Sequence, residues 1–180
     1  MDAITMIKER RSVRKYKDEK VDRETMREIV DIARWAPSWV NYQIARYTLV
    51  DDEEIIKEIA EHGVNGFVYN IDTLRTAKGV LSFVKGKSGT YDKEYITSKG
   101  NSWEVFDAGI ACQTFCLAAH AKGVGTCIMG VIDDKSIAKI VNLPEDETVA
   151  ALIVYGYEDG EHAAPNKRKD VDEIMRFVDR

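Results

Sequence analysis

The sequence predicts one domain of interleaved helices and strands across residues 1–180, and three observations carry that expectation. No repeat or low-complexity linker divides the 180 residues, a length that buries one substantial core. Apolar side chains recur at helical spacing in several segments, with short β-branched runs between them. The pair Gly123-Val-Gly125 follows a helical segment and precedes a strand. A nucleotide-binding loop needs the opposite order, strand first, so that a helix N-terminus meets the phosphate. A Rossmann unit is therefore excluded, and the P-loop pattern is absent.

Taken in order, a first helix is expected over roughly Ala3 to Arg11, with Ile4, Met6 and Ile7 inward. A second starts at Asp22 as N-cap, places Met26, Ile29, Val30 and Ala33 on one face, and stops before Pro37. Tyr47 to Val50 reads as a short strand. A third helix runs from Asp52 with Ile55, Ile56, Ile59 and Ala60 inside, and Gly63 ends it. From His62 to Gly100 only one strand, Gly79 to Val84, stands out. A long helix from about Ser102 to Lys122 is rich in Ala and Cys and nearly apolar along its second half. Such a helix is buried at a domain centre or in a subunit interface. Gly123 ends it, Val124 to Met129 reads as a buried strand, and a short helix starts at Asp133. Val149 to Tyr155 is the clearest strand, and a last amphipathic helix passes through Ile174, Met175 and Val178.

The chain carries formal net charge -5, with 44% hydrophobic and 32% charged residues, as a globular protein does. No membrane span is expected, because the longest central uncharged run, Ala108 to Ala121, has 14 residues and includes Gln113 and His120. Lys8, Glu9, Arg10 and Arg11 arrive where an export signal would be apolar. With three cysteines, this predicts a reducing, cytoplasmic setting.

Against that acidic whole, eight of the sixteen residues from Lys8 to Arg23 are Lys or Arg. Concentrated cations in an acidic chain point to a local anionic ligand. Arg10, Ser12 and Arg14 alternate, so on an extended segment they project to one side. Two guanidinium forks beside a hydroxyl suit a phosphate. A solvated basic arm is the plainer reading of the same pattern. Further along, Ser38, Asn41 and Gln43 offer groups that hydrogen-bond both edges of a heterocycle, though a helix terminator and polar turn would look the same. Cys112, Cys116 and His120 share a helical stripe, but the spacing matches no common zinc motif, and buried thiols in an Ala-rich helix need no metal. Neither a metal site nor a cysteine nucleophile is assigned.

Several motifs occur in order: Arg10-Arg-Ser-Val-Arg14 with Tyr16, Ala36-Pro-Ser-Trp-Val-Asn-Tyr-Gln43, Asp107-Ala-Gly-Ile-Ala-Cys-Gln113 and Ala118-Ala-His-Ala-Lys-Gly-Val-Gly-Thr126. Ile128-Met-Gly130, Tyr155-Gly-Tyr157 and Lys167-Arg-Lys169 complete a set that spans nearly the whole chain. With these motifs the chain resembles the nitroreductase family of flavin-dependent oxidoreductases. The resemblance implies an α+β fold with a central mixed, largely antiparallel sheet flanked by helices. It also implies an intertwined homodimer with FMN at the subunit interface. By motif match Arg10, Arg11, Ser12 and Arg14 would contact FMN, and Pro37, Ser38, Trp39 and Asn41 would reach it from the other subunit. Met129 and Gly130 would lie near flavin N5, and Arg168, with Lys167 or Lys169, would hold the phosphate. There are departures: Gln43 is followed by Ile44-Ala45 where relatives have Pro-Trp, and Trp39 stands where a small residue is common.

The resemblance further implies a ping-pong enzyme passing electrons from NADH or NADPH through the flavin to nitroaromatic, quinone or similar small acceptors. Flavin chemistry needs no side-chain nucleophile, and none is evident. Trp39, Tyr42 and residues 66–95 are the expected lining of the acceptor pocket. A flavin carrier without turnover is the alternative. A nucleic-acid-binding protein is a weaker one, because the chain is acidic and no aromatic residue separates the arginines before Tyr16.

Overall fold

The computed structural model describes residues 2–85, 90–91, 94–95, 97–100 and 103–178. Helix α1 (Ala3–Glu9) is capped by Asp2, whose carboxylate accepts from Ile4 N and Thr5 N at 3.0 and 3.1 Å. It stops before the expected Arg11, because Arg10 turns extended and Ser12 bridges Thr126 in parallel. Val13 N donates to Thr126 O at 2.9 Å. Pairing with the sheet edge thus outweighs one more helical turn. Of the inward face expected for α1 only Met6 is half-buried; Ile4 and Ile7 are 65% and 59% exposed, since nothing in one chain covers them.

Helix α2 (Arg23–Ala33) begins at Asp22, which accepts from Thr25 N at 2.8 Å, and buries Met26, Ile29 and Ala33. Strand β1 (Ala45–Val50) starts two residues before the expected Tyr47. In α3 (Glu53–His62), Asp52 caps the start and Gly63 closes the end by donating to Ile59 O at 2.8 Å. Helix α4 (Val68–Thr76) has no side-chain cap and buries only Thr73 and Leu74, so it has no clear helical stripe. Strand β2 (Gly79–Lys85) is the expected one, and β3 (Thr90–Tyr91) pairs with β4 (Glu94–Tyr95).

Helix α5 (Trp103–Ala121) is the long apolar helix; its expected first residue, Ser102, lies outside the described residues. Gly123, at φ +75°, adopts the left-handed conformation that ends it. Next come β5 (Gly125–Met129), α6 (Asp134–Ile140) capped by Asp133, and β6 (Thr148–Gly156). The last helix is shorter than expected. Helix α7 (Val171–Ile174) ends at Met175, which is extended, and Ile174 and Val178 are 70% and 87% exposed. A stripe with no surface to pack against does not hold a helix of this length.

The main sheet has the order β1-β2-β6-β5, antiparallel throughout; the Ser12–Thr126 bridge adds a parallel contact at its edge. Central strand β6 separates two cores. Leu152 and Val154 enter the one built with α3 and α6, while Ile153 and Tyr155 enter the one built with α2 and α5. The result is a sheet between two helical layers, an α+β fold.

Candidate functional site

The basic segment is laid against the sheet by two apolar anchors. Val13 and Tyr16 are buried, and Tyr16 Oη donates to Val13 O at 2.6 Å. Beyond them Lys17 N donates to Tyr157 O at 2.8 Å, and Asp159 N to Lys15 O at 3.0 Å. Ser12 and Arg14 alternate with buried Val13 and remain exposed along β5. Arg14 Nη1 donates to Ser12 O at 3.3 Å. Burial pushes the nearby Cys127 thiol up, with the Arg14 charge opposing. Arg11 holds the backbone together: it donates to Lys8 O and Arg10 O at 2.6 and 2.9 Å and to Ala163 O at 3.1 Å. Arg10 is half-buried, near the second half of α5. There the Cys112 thiol is raised first by its hydrogen bond to Cys116 and then by burial, with the Arg10 guanidinium opposing.

Among the described residues, no carboxylate lies within ion-pair distance of Arg10, Arg11, Arg14, Lys167 or Arg168. Elsewhere Arg23 pairs with Asp51 and Arg34 with Asp31, each at 2.7 Å, whereas the basic segment gathers three unpaired guanidiniums within five residues. The unneutralised guanidiniums are donors without an internal anion, and they fit an external phosphate.

Residues 37–43 form a tight loop around a short 3₁₀ turn, Trp39–Asn41. Ser38 Oγ accepts from Gln43 N at 2.8 Å, and buried Asp107 of α5 accepts from Trp39 N at 3.0 Å. Val40, Asn41 and Gln43 have φ of 49°, 57° and 51°. A β-branched residue in that region is strained, and strain of this kind is held where surrounding contacts over-determine the backbone. Trp39 and Tyr42 meet edge to face at 5.3 Å. Tyr42, but not Trp39, lines a cleft of about 400 Å³ together with Pro37, Ser38, Gln43 and Asp107.

Within one chain the two sets meet different stretches of α5. The 37–43 loop is tied to Asp107 in its first half, whereas Arg10 acts on Cys112, Cys116 and His120 from its middle to its end. Lys167 and Arg168 lie on the exposed arm beyond Ala163, where Arg168 Nη1 donates to Asn166 O at 3.0 Å.

Met129 is buried at the end of β5, and Gly130 is exposed, with open space where a Cβ would lie. The next residues are fixed by two amides: Asn65 Nδ2 donates to Ile132 O and Asn70 Nδ2 to Val131 O, both at 3.0 Å. Asn70 thereby brings exposed Phe67 and Tyr69, with rings 5.5 Å apart, to the Gly130 end of β5. These two fall inside the expected pocket-lining stretch. The anchoring by Asn70 and Asp107 is not foreseen from the sequence. The Asn65-Gly66 pair signals a turn, but nothing local marks Asn70 or Asp107 as an anchor.

Fold and site define an α+β protein with a cationic segment laid along one sheet edge. The model of the nitroreductase family matches residues 7–157, and the chain belongs to that family. It is 29% identical to the FMN reductase (NAD(P)H) of Bacillus subtilis, over 87% of this chain and 66% of that one. It is similar to the structure of an FMN-dependent nitroreductase from Clostridium difficile R20291, with TM-score 0.78 and 28% identity over 97% and 98% of the two chains. A nitroreductase family protein from Streptococcus pneumoniae TIGR4 shares the fold at TM-score 0.84, with 19% identity over 98% and 100%. No described helix is long and apolar enough to cross a membrane.

Proposed function

We propose that this chain is an FMN-dependent oxidoreductase that takes electrons from NADH or NADPH and delivers them to nitroaromatics, quinones or similar small acceptors. The observation that carries the reading is the cluster of Arg10, Arg11 and Arg14 where the segment meets β5 and α5, with no carboxylate partner among the described residues. The names of the relatives point to the same cofactor and reductant. Arg10, Arg11, Ser12 and Arg14 would hold the flavin from the sheet edge, Met129 and Gly130 would face its ring with backbone groups, and Arg168 with Lys167 would take the phosphate. When bound, the flavin supplies hydride acceptance and electron delivery at N5. The chain's own contribution is binding and electrostatics: a fixed cation such as Arg14 stabilises negative charge that develops on reduction. Nicotinamide and acceptor use one pocket in turn, so turnover is ping-pong.

The acting unit in this reading is a homodimer with the site at the subunit interface. Within one chain the 37–43 loop is tied to Asp107 while Arg10 sits by Cys112, Cys116 and His120, so in this reading the loop serves the segment of the partner. The uncovered side of α5, with Phe106 at 58% exposed, and the bare Ile4 and Ile7 of α1 supply an apolar face. Patches of that kind mark interfaces.

The test is optical. The purified protein is expected to be yellow, to release FMN on denaturation, and to bleach with NADH or NADPH under anaerobic conditions. Bound flavin that neither nicotinamide reduces would leave only a flavin carrier.

A further inference from the structure

His162 stands where the chain leaves β6 for its C-terminal arm. Its Nδ1 lies 2.7 Å from Glu158 Oε2, and its Nε2 lies 2.7 Å from the Glu9 carbonyl oxygen at the end of α1. Both partners accept. A neutral imidazole has a single N–H and serves one of them, whereas an imidazolium serves both. The His120 ring of α5 stacks on this ring at 6.0 Å and 19°. Its Nε2 is buried and has no hydrogen-bond partner among the described residues.

We propose that His162 and His120 form a proton-dependent clip that docks the C-terminal arm, residues 163–178 with Lys167 and Arg168, on the end of α1. Contacts on either side of the clip hold the same stretch of chain. Immediately after His162, Arg11 Nε donates to Ala163 O at 3.1 Å. Before it, Lys15 pairs with Asp159 at 2.6 Å. Beyond Ala163 every described side chain of the arm is exposed, so the contacts at residues 158–163 decide where the arm begins. The proposal goes beyond the flavin reading and stands without it.

The charged groups around the pair are Glu9, Arg10 and Arg11 from the end of α1, Glu158 from the exit of β6, and Glu161 beside it in sequence. The hydrogen bond to Glu158, then the Glu9 carbonyl, lift His162 above the ordinary value of 6.5. Burial, then the neighbouring His162, hold His120 below it. The two act in opposite senses. His162 is raised, so its contribution is complete below 6.5 and is lost as pH climbs through the raised value. His120 is depressed, so acidification through its lowered value places a second cation against the first and weakens the clip. Docking is strongest in the window between, with one ring charged and the other neutral.

The Asp159 amide donates to Lys15 O at 3.0 Å within the clipped stretch, so its hydrogen exchange in the full-length protein reports docking. Dividing by exchange of the same amide in a free peptide of residues 155–166 at each pH removes the intrinsic pH dependence of exchange. Protection is expected to peak at about pH 6.5 and to fall several-fold by about pH 8.5, because exchange follows the open population. His162→Gln should give low protection that no longer varies with pH, and Glu158→Gln should move the alkaline loss to lower pH. A wild-type ratio that stays flat from about pH 6 to 8.5 would overturn the proposal. So would an NMR titration of the wild-type imidazoles in which His162 loses its proton at or below the midpoint of His120.

Discussion

Gly125 and Gly156 stand opposite each other across β5 and β6, and the basic segment rests on both of them. A Cβ at Gly125 would lie 2.7 Å from Val13 Cγ2, and one at Gly156 would lie 3.0 Å from Tyr16 Cδ1. Ser12 and Arg14 hold their positions only because Val13 and Tyr16 sit this close to the strands. Gly125→Ala must therefore displace Val13, at a cost of about 1–3 kcal/mol, and should weaken flavin retention as well. Gly156→Ala should cost less, since its contacts are looser. Thermal melts and FMN content measure both effects; a Gly125→Ala protein unchanged in both would remove this account of the segment.

Arg168 offers the opposite combination. Its described contact is to the carbonyl of Asn166 on the same exposed arm. Arg168→Ala should leave apoprotein stability within about 0.5 kcal/mol, while loss of a charge-assisted phosphate contact costs FMN affinity about 1.5–3 kcal/mol. Titration of apoprotein with FMN decides it, and unchanged affinity would take Arg168 out of the site.

Trp39 meets Tyr42 edge to face, and Tyr42 lines the cleft at Ser38; flat acceptors stack on aromatic faces of this kind. Trp39→Ala is expected to lower acceptor efficiency while leaving flavin reduction by the nicotinamide comparatively intact. Stopped-flow measurement separates the two half-reactions. Equal loss in both would make Trp39 a support for the flavin or for the loop that Asp107 anchors.

Sedimentation tests the two-chain site. A dimer is expected throughout the working concentration range, and a folded monomer that retains FMN would contradict a site built from both chains. Phe106→Glu on the uncovered side of α5 should shift the population toward monomer and release flavin with it, since a charge in an apolar interface is left unpaired.

The helices with caps and stripes were legible from the sequence. Asp22 caps α2 as expected; α3 and α6 start one residue after the expected Asp52 and Asp133, which serve as their caps; and Gly63 and Gly123 mark where α3 and α5 end. Strands β2 and β6 fall within a residue of expectation because their apolar runs are continuous. What escaped was decided by distant contacts. Helix α1 ends early because Val13 pairs with Thr126, more than a hundred residues away in sequence. Helix α4 has neither cap nor wide apolar face. At the site, the cationic pattern of Arg10, Ser12 and Arg14 was readable, but Arg11's hold on Ala163 was not, because a side chain bonded to remote carbonyls leaves no local pattern.

The strand order has a consequence for how the chain assembles. The strand at the centre of the sheet is the last to be made: β6 separates β2 from β5 and supplies side chains to both cores. Until residues 148–156 arrive, the β1–β2 pair and β5 have no shared partner, and neither hydrophobic layer can close. Assembly is thus governed by contacts distant in sequence, the kind that slow folding, and both layers should lock in the same cooperative step. A chain ending before Thr148 is expected to keep helical content yet show no cooperative melt; a sharp transition in that fragment would mean that one layer closes without β6.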